Sequence, residues 1–247
     1  MADAEHVADA STPAARVRTG ISAYVELTKP RITVLLLITC VAGAFCAAQG
    51  MPPLGMLLVT SLGLALSSGG ASALNHVIDR DIDQRMRRTA SRPVAAGSVS
   101  AGAGAVFGIS LMAIAFWMLW TVVHPVTAVL ALSGGAFYVL VYTMLLKRRT
   151  VQNIVIGGAA GAIPPLVGWS AVDPSLAVGA WALFLIIFMW TPPHFWALAL
   201  LIREDYAAAD VPMLPVVAGE AATVEQIWWY SIGLAVTSIL PVALGAF

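Results

Sequence analysis

Apolar stretches of bilayer-crossing length alternate with short polar segments along most of this chain. A helix needs about 20 consecutive apolar residues to span a membrane. Seven stretches qualify: 32–49, 54–78, 98–123, 125–146, 151–172, 176–202 and 224–247. The pattern predicts an all-α, polytopic transmembrane helical bundle of seven spans over residues 27–247. Residues 1–26 read as a polar, disordered cytoplasmic tail, since 1–23 lack the apolar core and cleavage site of a secretory signal.

The linkers differ in character. Those at 50–53, at His124 and at 173–175 are short and nearly uncharged. The others carry all thirteen basic residues. Arg16, Arg18, Lys29 and Arg31 precede the first span, and Arg80, Arg85, Arg87, Arg88 and Arg92 follow the second. Lys147, Arg148 and Arg149 follow the fourth, and Arg203 the sixth. The positive-inside rule makes that side cytoplasmic, with the N-terminus there as well.

Composition agrees with the membrane reading. Charged residues make up 11% of the chain and mean hydropathy is +0.87, where a soluble domain carries about 25% charged residues. The net charge of zero gives no reason to expect a nucleic-acid partner. Cys40 and Cys46 both fall in the first span, where they read as small buried hydrophobes.

One segment breaks the pattern. "NHVIDRDIDQRMRRTASRPVAAG", residues 75–97, gathers three aspartates and five arginines behind the second span. Residues four apart share a helix face, so Asn75, Asp79 and Asp83 form one polar stripe, with Asn75 still inside the apolar run. Such oxygen ligands suit Mg²⁺, which keeps several waters and bridges to substrate phosphates. Forked arginine donors suit phosphate oxygens. Arg–Asp pairs at a helix end are ordinary solvated features, and that reading covers Arg80 and Asp81. It does not cover Asn75, because polar groups at membrane depth are costly and tend to mark function.

A second acidic opening, "REDYAAADVPMLPVVAG", follows the sixth span on the same side. Asp205 is the natural ligand there for a second Mg²⁺, while Glu204 and Asp210 serve equally well as surface charges. Tyr142, Lys147 and Arg148 end the fourth span and could hold a diphosphate with Arg87 and Arg88, or anchor to lipid headgroups. His194, in "WTPPHFW" inside the sixth span, is a candidate haem contact, with a helix-to-helix hydrogen bond as its plain alternative. Pro192 and Pro193 are expected to disturb that helix and open backbone groups to a cavity. His76 and His124 read as structural.

With these residues in view the chain resembles the intramembrane prenyltransferases typified by the 4-hydroxybenzoate enzymes. "LTKPRIT", "NHVIDRDIDQRMRRTASRP", "YTMLLKRRTVQNIVIGGAAGAIPPLVGW", "WTPPHFWALAL" and "DYAAADVPMLPVV" are similar to strings of the protohaem IX farnesyltransferase (haem O synthase) family. The superfamily's second motif is Asp-x3-Asp. Here Ala209 stands four residues after Asp205 and Asp210 one later, the single-Asp pattern of the haem branch.

The resemblance implies a prenyltransferase of the inner cell membrane with a central cavity opening to the cytoplasmic side. It implies farnesyl diphosphate and haem b as substrates and Mg²⁺ as cofactor. Asp79, Asp83 and Lys147 would be catalytic, and Asn75, Asp79, Asp83 and Asp205 would hold metal. It also implies the lipid bilayer as surroundings, and haem A synthase or cytochrome oxidase assembly proteins as partners. The family has nine spans, so the last two are expected to be missing from this chain. Two rivals stand beside it. One is a prenyltransferase with a quinone-type or chlorophyll acceptor. The other is a transporter, which would place acids near the membrane midplane rather than at one mouth.

Overall fold

The computed structural model describes residues 19–243 and Gly245, and every regular element among them is helical. A short helix α1 (Ile21–Leu27) leads through Lys29, in the left-handed region at φ 47°, into α2 (Pro30–Ala48), with Pro30 opening the first turn. Then come α3 (Leu54–Ile78), α4 (Arg80–Arg85), α5 (Ala101–Val122) and α6 (Pro125–Ala136). α6 continues without a break into a π-helical segment, Phe137–Leu146. α7 (Asn153–Ala162) and α8 (Pro164–Val172) form one span interrupted at Ile163 before a proline pair. α9 (Val178–Leu201), the short α10 (Arg203–Ala208) and α11 (Leu214–Val217), and α12 (Gly219–Ala243) complete the fold.

Caps explain several of the boundaries. The Ser100 hydroxyl accepts the Ala103 N–H at 3.2 Å to start α5. His124 Nδ1 accepts the Val126 N–H at 3.2 Å ahead of Pro125, which gives that histidine a structural role at the start of α6. Both satisfy amide groups that a helix start otherwise leaves open.

Six spans among the described residues are long and apolar enough to cross a bilayer. They match the first six predicted, and the chain is a multi-pass membrane protein. The predicted seventh, 224–247, corresponds to α12. That helix, Gly219–Ala243, is not among the six. The disordered tail expected over 1–26 does not extend through residues 21–26. Residues 1–18 lie outside the described residues, but 21–27 fold as α1, with Ala23 and Leu27 buried against Ala73, Val94 and Val99. α9 runs unbroken through Pro192 and Pro193, both of them buried. The expected disturbance there is absent because tertiary packing holds the helix in place.

Close backbone approach holds the bundle together. Lipid tails offer no hydrophobic drive for helix association, so small residues that admit near contact dominate membrane helix interfaces. α3 packs on α5 where Gly70 and Gly108 face each other's carbonyl oxygens. α2 packs on α8, with Gly43 against the Pro165 carbonyl and Gly168 against the Cys40 carbonyl. Large side chains such as Trp117, Leu58 and Ile109 face outward, where the bilayer covers them. Cys40 is buried and Cys46 half-buried, and neither forms a disulfide.

A side chain at Gly168 would run into the Cys40 carbonyl, and that backbone has no room to move between two packed spans. Gly168→Val is therefore expected to cost about 1–3 kcal/mol, seen as a lower thermal unfolding midpoint in detergent. Gly102→Ala, at a site with open space around it, should leave the midpoint unchanged or raise it. Equal effects of the two would show that the α2–α8 approach is not tight.

Candidate active site

The stripe inferred from four-residue spacing survives a change of helix. Asp79 sits at the α3–α4 junction with φ −88° and ψ 10°. The Asp79 N–H donates to the Asn75 carbonyl at 2.9 Å, and the Asp83 N–H to the Asp79 carbonyl at 2.8 Å. These bonds carry the register through the junction, so Asn75, Asp79 and Asp83 stay together and buried.

A polar chain then links three elements. The Lys29 ammonium donates to Asn75 Oδ1 at 2.7 Å and to the Tyr138 hydroxyl at 3.1 Å. With its carbonyl oxygen claimed, Asn75 turns its Nδ2 to Asp79 Oδ2 at 2.7 Å and to the Thr143 hydroxyl at 3.1 Å. Lys147 pairs with the same Asp79 oxygen. Asp79 is fully buried, and its Oδ1 has no hydrogen bond, its nearest cation being Arg148 at 3.7 Å.

The π-helical segment positions the far half of this chain. Its bonds reach five residues back, as the Lys147 N–H does to the Tyr142 carbonyl at 2.9 Å. The widened turn sets Tyr138, Tyr142 and Lys147 along one cavity (volume about 330 Å³). Tyr138 and Tyr142 stack at 5.6 Å between ring centroids. π-helical turns are rare and concentrate at functional sites. Periodicity alone predicted an ordinary helix here.

The cavity has a charged mouth and an apolar depth. Lys29, Arg88, Arg92 and Lys147 line the mouth with Asn75 and Asp83. Ile32, Leu36, Leu64, Ala131 and Ile163 line the depth, and Thr191 and Phe195 bring α9 to its side. Arg92 clamps both Asp83 oxygens at 2.8 and 2.9 Å. Burial, reinforced by Arg92 and Lys147, pulls the Lys29 ammonium down to about 7. Asp83 and Asp79 act against that shift, and an anion bound beside Lys29 would favour its charged form further.

Other predicted site residues stand elsewhere. Arg148 forms a fork on Asp81 at 2.7 and 2.8 Å and donates to the Ile78 carbonyl. That bond holds the Asp81 carboxyl below the usual range. Arg87 is exposed and bonds Asp205 and Glu204, both at 3.4 Å. Neither arginine lines the cavity, because each is spent on tying segments together. Asp205 accepts the Arg88 N–H at 3.2 Å, which docks α10 on the loop after α4. Arg85 and Asp210 make a second, exposed tie at 3.1 Å. Both acidic openings thus share one mouth.

His194 does not face the cavity. It is exposed on the outer side of α9, its imidazole stacked on Trp190 at 4.1 Å. Lys29, Arg92, Tyr138 and Thr143 belong to this network without being marked as site residues by the sequence. Lys29 stood in "LTKPRIT", and the left-handed turn before Pro30 was the feature that aims it inward.

The donor set fits a hard divalent cation. Among the described residues no three carboxylate, imidazole or thiol side chains converge on one point. Mg²⁺ commonly takes one or two carboxylates and completes its shell with water and substrate phosphate. The buried, unpartnered Asp79 Oδ1 is such an oxygen, set behind the cavity wall, since Asn75 and Asp83 line the cavity whereas Asp79 and Asp205 do not.

Residues 36–247 match the model of the UbiA prenyltransferase family. A protoheme IX farnesyltransferase of Symbiobacterium thermophilum is 58% identical over 209 residues, covering 85% of this chain and 70% of that protein. A protoheme IX farnesyltransferase of Thermus thermophilus is 54% identical over 222 residues, and there the match spans 90% of this chain but only 36% of the relative. Among solved structures, a UbiA homolog from Archaeoglobus fulgidus bound to GPP and Mg²⁺ superposes with a TM-score of 0.70 at 16% identity, over 87% of this chain and 76% of the other. That likeness establishes the fold, and the sequence matches establish the lineage: the chain belongs to the UbiA prenyltransferase family.

Proposed function

We propose that this chain moves the farnesyl group of farnesyl diphosphate onto a vinyl group of haem b, with addition of water, giving haem O and diphosphate. The observation that carries the reading is one cavity with four cations at its mouth and an apolar depth, the shape of a prenyl diphosphate. The names of the relatives at 54–58% identity supply the acceptor. The mouth faces the cytoplasm of the inner cell membrane, because the basic residues collect at that end.

The step breaks the primary allylic C–O bond, and both electrons leave with diphosphate. The allyl carbon bonds to the terminal vinyl carbon of haem, water takes the cation left beside it, and a proton departs. Lys29, Arg88, Arg92 and Lys147 surround the leaving group and stabilise charge where it develops. Asp79 and Asp83 would hold Mg²⁺, with Asn75 and Asp205 adjoining, and the metal would neutralise diphosphate oxygens. The stacked Tyr138 and Tyr142 rings keep water away from the allyl cation until the new bond forms. Haem reaches the cavity from the lipid side, where His194, stacked on Trp190, stands next to Phe195 and about one turn from Thr191, both of which line the cavity.

Incubating membranes with haem b and labelled farnesyl diphosphate tests the reaction, and prenylation of a quinone-type acceptor alone would sink it. Asp79→Asn should lower turnover at least about a hundredfold. It also strands Lys147, at a cost of about 3–5 kcal/mol, so Asp79→Asn with Lys147→Met should regain stability without turnover. If turnover returned with stability, Asp79 would be structural.

Lys29→Met should weaken pyrophosphate binding in Mg²⁺ about tenfold, while Arg87→Met, outside the cavity, leaves it within about twofold. The reverse order would restore the arginine to the site. For His194→Ala, weaker haem binding and an altered haem spectrum are expected with farnesyl diphosphate affinity kept. An unchanged spectrum would remove His194 from the reaction.

A further inference from the structure

A second pocket, of about 270 Å³, opens on the other side of α9 from the cavity. Its lining shares no residue with the first and comes from the turn before α7, from α9, from α11 and from the first half of α12. Trp196 forms its inner wall, only 2% exposed, and the indole Nε1 has no hydrogen-bond acceptor. A buried N–H left without a partner is costly, so an acceptor from outside the chain is favoured there. Glu225 lies on the rim with the amides of Gln152 and Gln226. The Tyr230 ring closes the pocket, edge-on to Trp196 at 5.4 Å.

The chemistry is two-signed. Trp196 Nε1 and the amide N–H groups offer donors to an anion, while Glu225 and the Tyr230 ring suit a cation. A free anion meets the carboxylate and a free cation meets the donors, so a ligand carrying both charges fits best. Trp228 and Trp229 stand exposed on the same helix, one turn from Glu225. Exposed tryptophans gather at headgroup level. We propose that this pocket binds the headgroup of an aminophospholipid, phosphatidylethanolamine, with its ammonium on Glu225 and its phosphate on Trp196 Nε1. Its acyl chains then run down the exposed face of α12. A headgroup seated there braces α9 against α12 beside the cavity wall.

Native mass spectrometry of the full chain, released from vesicles of equal phosphatidylethanolamine and phosphatidylglycerol, tests this. Phosphatidylethanolamine should be retained in about tenfold preference. Glu225→Gln should erase that preference, and because Glu225 is exposed the change leaves folding intact. Trp196→Phe removes the donor and, being smaller at a buried site, lowers the thermal midpoint somewhat, so the readout is the ratio of phosphatidylethanolamine to phosphatidylglycerol retained by folded protein, which should fall. Equal retention of the two lipids, or a preference that survives Glu225→Gln, would overturn the proposal. Displacement of the lipid by soluble glycerophosphoethanolamine at equal concentration would overturn it too, since the chains would then contribute nothing.

Discussion

The buried carboxylate of Asp79 is the constraint around which this bundle is arranged. A charge at that depth persists only with partners, and they come from two directions. Lys147 arrives from the π-helical segment, and Asn75 from the same helix, itself held by Lys29. Three spans are thereby pinned to one oxygen pair, and the cavity is the space they leave between them. The same group cannot be satisfied fully by the chain, since one of its oxygens has no hydrogen bond. Structural order and reactivity therefore meet at one residue.

The glycine contacts act on a coarser scale. Where Gly43 and Gly168 let α2 and α8 touch backbone to backbone, the lysine at the head of α2 is carried to within reach of Asn75. Packing at the membrane centre and charge at its surface are two ends of one lever. This explains why the polar chain needs no long flexible reach: each side chain begins close to its partner.

How much of this was legible beforehand depends on the kind of information. Span positions follow from apolar length, and the first six were found. The grouping of Asn75, Asp79 and Asp83 follows from a four-residue step that the backbone preserved through the α3–α4 junction. Rotation about a helix axis is a different matter. His194 was placed inside from its depth, yet α9 is apolar nearly all round, so composition could not tell its cavity face from its lipid face. Lys29 was counted with the charges that set topology, because its inward aim depends on a left-handed residue before Pro30. Arg87 and Arg148 invite assignment to phosphate because they stand in basic clusters, whereas acidic residues distant in sequence claim them.

The π-helical turn fixes the phase of the span on either side of it. If Phe137–Leu146 rewound to ordinary α-helical bonding at the same length, the wide turn would no longer absorb its extra residue. The first residues of the segment, Tyr138 among them, would then be turned by roughly 100° relative to Lys147. The span would still cross the membrane and its hydropathy would hardly change. Tyr138, however, would swing away from Lys29, and the face that closes the cavity would be lost. The surplus residue in that span is thus a register mark, invisible to any scale of hydrophobicity, that separates a helix able to reside in the membrane from one able to complete the site.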